Sequence, residues 1–261
     1  MKKLHAIFFI FLLFFGCATN PLSGKNTMAF VSNRTLFPTA FSQYYEFLRE
    51  NTVITNTTES DMVVRIGKNI AEAAQKWLTA EGSPNYLNDY RWEYNLVSDD
   101  AVNAWCMPGG KIVVYTGILP VTQTETGLAV VMGHEVAHAL LNHGQQRMSA
   151  SVLQQLGAAA LSIMTDSDLI MAAYGVGSAL FGTLPFSRSH ESEADHYGLI
   201  LMAIAGYDPG EAVPFWRRMA AMGGGNIEFL STHPSSSTRI NQLTRWTPEA
   251  RQKAVALGVR F

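Results

Sequence analysis

The stretch Leu128-Ala129-Val130-Val131-Met132-Gly133-His134-Glu135-Val136-Ala137-His138-Ala139-Leu140-Leu141 decides how this chain folds. Its apolar flanks predict a buried helix. Residues four apart on a helix share a face one turn apart, so the His134 and His138 imidazoles can reach one metal ion with Glu135 beside it. Two imidazoles and a neighbouring carboxylate in this spacing are the ligands and the base of a metal-dependent peptide-hydrolysis site. A catalytic zinc also needs a third protein ligand and an open position for water. Leu141 and Gly144 stand where a metzincin-type continuation would place Gly and a third His, so the third ligand comes from further along the chain.

The next dense group of polar donors is Arg188-Ser189-His190-Glu191-Ser192-Glu193-Ala194-Asp195-His196, followed by another apolar helical run. Glu191 and Asp195 are four apart and share a helical face, while Glu193 points away. Glu191 is therefore read as the third ligand, and Asp195 as the carboxylate that orients a ligating histidine. His143, nine residues beyond His134, falls half a turn out of phase on an uninterrupted helix and is expected at the surface or in the last turn. His190 and His196 are expected to face elsewhere. Arg239 either pairs with a site carboxylate or forms a surface ion pair of little worth.

The motif together with Ser187-Arg188 through Ala194-Asp195 resembles metallopeptidase family 48, the gluzincins that include HtpX and the CAAX prenyl endopeptidases. Two further stretches carry the resemblance: Asn103-Ala104-Trp105-Cys106-Met107-Pro108-Gly109-Gly110 ahead of the motif, and Thr232-His233-Pro234-Ser235 with Arg239-Ile240 behind it. It covers roughly residues 58 to 245 and is nearest to the soluble periplasmic lipoprotein branch. It implies one zinc ion per chain held by His134, His138 and Glu191, with Glu135 as general base. It also implies a substrate-holding edge strand at Asn103, Ala104 and Trp105, the last standing where Phe is common. His233 is implied to lie near the zinc, as an oxyanion stabiliser or as a reversible fourth ligand that keeps the enzyme latent. The implied activity is a zinc endopeptidase acting on unfolded or misassembled envelope proteins. The alternative, from a different class, is a lipoprotein chaperone or assembly scaffold that binds clients with the same fold.

Composition agrees with one catalytic domain. The chain has 261 residues, 48% of them apolar, enough for a large single core, and a net charge of −2 leaves no basic footprint for nucleic acid. Lys2-Lys3 and the apolar run from Leu4 to Phe15 form a signal-peptide pattern ending at Gly16-Cys17-Ala18. That ending resembles a bacterial lipobox, although Phe14 and Phe15 depart from it, and makes Cys17 a candidate for lipidation. The expected division is a signal peptide at 1–16, an N-terminal arm at 17–57 with an aromatic patch from Phe37 to Phe47, and the metallopeptidase domain at 58–261. By the same resemblance Ala18 implies a lipid-anchored periplasmic protein at the inner face of the outer membrane. Cys106 is the only other cysteine, so no intramolecular disulfide forms once Cys17 is used, and it is read as a small, partly buried side chain rather than a nucleophile.

The expected fold is mainly α with a small β-sheet, a zincin-like α+β domain. Helical spacing runs over Ser60 to Leu78, strand alternation over Arg91 to Val97 and Lys111 to Tyr115, with a turn at Pro108-Gly109-Gly110. The metal helix is expected over Glu125 to His143, then a helix over Glu211 to Met222, a Gly223-Gly224-Gly225 hinge and two short terminal helices. Asp166 and Asp168 interrupt the apolar segment from Val152 to Phe186, which favours two core helices over a membrane span.

Overall fold

The computed structural model describes residues 17–28, 32–151, 186–222, 227–233 and 238–261. The segment read as a signal peptide, the apolar segment at 152–185 and the glycines read as a hinge lie outside them. Among the described residues no helix is long and apolar enough to cross a membrane. The expected class holds: a mainly helical molecule around a small sheet.

Cys17–Thr19 (β1) and Asn26–Met28 (β2) pair as an antiparallel hairpin. Asn33–Glu50 (α1) follows, burying Leu36, Phe37, Ala40 and Tyr44 along one face. The aromatic patch of the expected arm is therefore the inner stripe of a helix. Val53–Ile54 (β3) leads into Thr58–Ala80 (α2), whose start is fixed by a capping box. The Thr57 side chain accepts from the Ser60 amide, Ser60 returns the bond, and Glu59 and Asp61 lie in the first turn. Val63, Ile66, Ile70, Ala73, Ala74 and Trp77 then line its buried face at helical spacing.

The sheet adds Glu93–Val97 (β4), Ala104–Met107 (β5) and Lys111–Tyr115 (β6) in the order β3-β4-β6-β5. β5 and β6 form an antiparallel hairpin through the expected turn, where Gly109 and Gly110 take φ of 85° and 91°. β4 instead runs parallel to β6, in register Glu93 with Lys111. β5 is thus an edge of this sheet among the described residues; it includes Ala104 and Trp105 of the expected edge strand, and Asn103 stands just before it.

Leu119–Thr122 (α3) is one turn that delivers the chain to Glu125–Leu140 (α4), capped by the Thr124 side chain on the Gly127 amide. Every residue of α4 from Gly127 to Leu140 is buried, so its three polar side chains need partners inside the protein. The helix ends at Leu140 and not at His143. Asn142 adopts φ of 57°, a left-handed residue that breaks the run, and a new helical stretch begins at residue 143.

Arg188–Ile204 (α5) packs across α4. A Cβ on Gly198 would lie 2.8 Å from the His134 amide nitrogen, and one on Gly133 2.9 Å from the Gly198 carbonyl oxygen. Only glycine at both positions allows the backbones this close. Ala212–Ala221 (α6), Glu228–Thr232 (α7) and Arg239–Ala256 (α8) complete the order. The last is eighteen residues long, so only one of the two terminal helices is short.

Candidate metal centre

The α4–α5 crossing brings His134, Glu135, His138, Glu191 and Asp195 into one buried cluster; Arg239, the first residue of α8, and His233, the residue after α7, enter it from other elements. The inward atoms are Nε2 of His134, Nε2 of His138, Nδ1 of His233 and the Glu191 carboxylate, all within 4.8 Å of one another. The two Nε2 atoms are 3.0 Å apart, and His134 Nε2 lies 3.3 Å from His233 Nδ1. Glu191 Oε1 lies 3.3 Å from His138 Nε2 and 3.1 Å from His233 Nδ1. A tetrahedron with arms of about 2.0–2.1 Å has edges of about 3.3–3.4 Å, so these spacings suit zinc.

Proton inventory gives the same answer. His134 Nδ1 is 3.0 Å from Asp195 Oδ1 and donates to it, which leaves the Nε2 lone pair facing inward. His138 has its Nδ1 engaged as well, 2.9 Å from His143 Nδ1. Lone pairs of two imidazoles and a carboxylate then converge in a water-poor interior, an arrangement that a cation resolves.

Behind the cluster, Arg239 Nε donates to Asp195 Oδ2 at 2.5 Å and its Nη2 to Glu191 Oε2 at 2.7 Å. Its guanidinium lies 3.8 Å from the Trp216 ring centroid and is 2% exposed. Of the two roles considered for Arg239, the pairing with site carboxylates is the one observed. The surface placement expected for His143 is corrected: the side chain is fully buried, because the left-handed turn at Asn142 swings it back over His138. His190 does not point at the cluster but stacks on His143 at 4.3 Å, and His196 pairs with Glu249.

Glu135 is 2% exposed, with its Oε1 3.4 Å from His233 Nε2 and without a hydrogen-bond partner among the described residues. Burial raises its carboxyl above the ordinary value, against the pull of His233 and His134. Burial likewise pushes His138 well below the usual imidazole value, holding it in the neutral, ligating form. Glu135 lines a cleft together with Asn103, Ala104, Cys106, His138 and Phe186, among others. Ala104 and Cys106 face the main core around α4, whereas the Trp105 ring packs on the other side of the sheet against Phe47 and Tyr44. Asn103 is tied to Glu228 at 2.9 Å. Burial pushes the Cys106 thiol well above its usual value, consistent with a packing role.

Residues 67–247 match Peptidase family M48, and the chain belongs to that family. Its members are zinc-dependent metallopeptidases, in agreement with the donor set. The chain is 40% identical over 174 residues to the mitochondrial metalloendopeptidase OMA1 of Schizosaccharomyces pombe, covering 64% of this chain and 50% of the relative. It is 35% identical over 195 residues to the Saccharomyces cerevisiae protein of the same name, covering 70% and 54%. A putative beta-barrel assembly-enhancing protease of Vibrio cholerae is 26% identical over 211 residues, covering 76% and 41%. The chain spans about half the length of the relatives it matches. These relatives overturn the expected placement at the inner face of a bacterial outer membrane: the stronger likenesses are to proteins named mitochondrial.

Proposed function

We propose that this chain is a zinc-dependent endopeptidase that cleaves unfolded or misassembled proteins. The observation that carries this reading is the buried convergence of His134, His138 and Glu191 next to Glu135, which lines a cleft and whose buried Oε1 has no hydrogen-bond partner among the described residues. His134, His138 and Glu191 hold the metal, and Asp195 and Arg239 keep His134 and Glu191 aimed at it. Zinc bound there supplies Lewis-acid activation of water and of the scissile carbonyl. Glu135 takes the proton from the attacking water and returns it to the leaving amine. Its burial and raised carboxyl pKa suit both halves of that transfer.

An extended peptide adds to the outer edge of β5, whose only strand partner among the described residues is β6. Main-chain pairing of this kind reads backbone rather than side chains, which fits substrates that share only being unfolded, envelope proteins among them. His233 takes the role of reversible fourth ligand, supported by its Nδ1 lying within the ligand cluster. His233→Ala is then expected to raise basal proteolysis. A hundredfold to thousandfold loss of turnover would instead make it the oxyanion donor.

The division into a leader at 1–16, an arm at 17–57 and a catalytic domain at 58–261 belongs to this proposal, as does a lipid on Cys17. Mass spectrometry of the native N-terminal peptide tests both. The activity is tested with a denatured protein substrate: zinc-loaded chain should cleave it and chelator-stripped chain should not. Client binding without cleavage by the zinc-loaded chain would move the assignment to the scaffold class.

A further inference from the structure

We propose that His143 is a positioning residue that fixes the tautomer and aim of the metal ligand His138, and that it is held in turn by Glu193 and Lys25. This rests on the zinc reading above. His143 is fully buried, and its ring crosses that of His138 with centroids 4.9 Å apart at 73°. The Nδ1 atoms of the two rings are 2.9 Å apart, so one proton lies between them. Only one assignment keeps the Nε2 lone pair of His138 free for the cluster: His138 carries its proton on Nδ1 and donates it, and His143 Nδ1 accepts. The proton of His143 then sits on Nε2 and points at Glu193 Oε2, 3.2 Å away. Glu193 Oε1 completes the series by accepting from Lys25, next to β2.

Each link fixes the next, and each atom has a single role. The chain is the counterpart of the Asp195–Arg239 pair behind His134, with a neutral imidazole interposed before the carboxylate. The ring planes are held too, His143 by stacking on His190 and His138 by Phe186 at 3.8 Å. Polar partners of a ligating histidine set its orientation and basicity, and their loss commonly costs about 10- to 100-fold in metal affinity. The series also ties residues 17–28 to the metal, because Lys25 lies in the turn of the hairpin that Asn20 fastens to the Leu140 carbonyl at 2.7 Å.

The test is zinc affinity by competition with a chromogenic chelator on the full chain, for wild type, His143→Leu, His143→Gln and Glu193→Leu. His143→Leu is expected to weaken zinc binding by about 10- to 100-fold. Glu193→Leu is expected to fall between it and wild type. His143→Gln should recover most of the affinity, since an amide can accept from His138 Nδ1 with its oxygen and donate to Glu193 with its nitrogen. A purely structural His143 would place the Gln and Leu variants together. Wild-type affinity in His143→Leu, or a Gln variant no better than Leu when both fold, overturns the proposal. A wild type that takes up no zinc removes the metal reading itself, and this inference with it, which is a different result from a zinc-loaded wild type matched by its Leu variant.

Discussion

At the residue scale the site is a balance of buried charge. Glu191 and Asp195 share Arg239, whose side chain is 2% exposed and reaches both carboxylates through separate nitrogens. Removing one partner of a buried charge network leaves the others uncompensated, at a cost of about 3–5 kcal/mol. Arg239→Ala should therefore lower the unfolding free energy of the zinc-free protein by about that amount in urea denaturation, and reduce zinc content as well. Glu191→Gln should lose zinc nearly as fully as His134→Ala, whereas Glu193→Gln should retain it, because the amide still offers His143 an acceptor. Elemental analysis of the three variants decides this, and full zinc in Glu191→Gln would remove it from the ligand set. His134, His138, Glu191 and Asp195 were legible in the sequence because i, i+4 spacing survives any tertiary arrangement. His143 was not, since its placement depends on the φ of Asn142, which leaves no mark in hydrophobic periodicity. The meeting of Arg239 and His233 with residues 42 to 99 positions away has no local signal either; the family resemblance pointed to His233, and the sequence left Arg239 between a site carboxylate and a surface ion pair.

At the scale of elements, the metal site exists because α4 and α5 cross at two glycines. Gly198→Ala would press a methyl group against the backbone of Gly133 and His134, and backbone cannot yield as a flexible side chain does. Overpacking of this kind costs about 1–3 kcal/mol and should shift Glu191 and Asp195 away from His134. A lower urea midpoint together with a reduced zinc content is expected; an Ala variant with unchanged values of both would show that the crossing tolerates a wider spacing. The outer edge of β5 gives a second element-level expectation. Substrate peptides N-methylated at alternate backbone positions should lose affinity through KM more than through kcat, since they forfeit strand pairing and not chemistry. β4, β6 and α2 were legible from alternation and helical spacing, whereas the two- and three-residue strands β1, β2 and β3 are too short to show a period. The parallel pairing of β4 with β6 was not, because strand order is set by packing against helices and not by the alternation within a strand. α1 was read only as an aromatic patch, with Pro38 inside the run obscuring a helix that its tertiary contacts stabilise.

At the scale of the whole molecule, the sheet, α2, α4 and α5 form the main core, with α1 covering the other face of the sheet through Tyr44. The last helix, α8, closes onto this body through Arg239 at one end and through Lys253 on Glu81 at the other. The Lys253 hydrogen bond is the main cause holding the Glu81 carboxyl below its ordinary value of 4.5. A carboxyl lowered in the folded state stabilises above its unfolded value and loses that contribution as the pH falls through the folded one. The Tm of the zinc-free protein should thus fall below about pH 4.5, and slightly less steeply in Lys253→Ala, the difference being small because the pair is more than one-third exposed. An acid limb steeper in the variant would contradict the sign. The central claim is that one buried centre binds zinc while Glu135 moves the proton, and it is tested most directly by pairing wild type with Glu135→Gln. Zinc content and cleavage of a denatured protein should be measured on the same preparations. The account predicts about one zinc per chain in both proteins, and cleavage reduced by about 10²- to 10⁴-fold in Glu135→Gln. Undiminished cleavage by a zinc-loaded Glu135→Gln protein, with contaminating protease excluded, would contradict it.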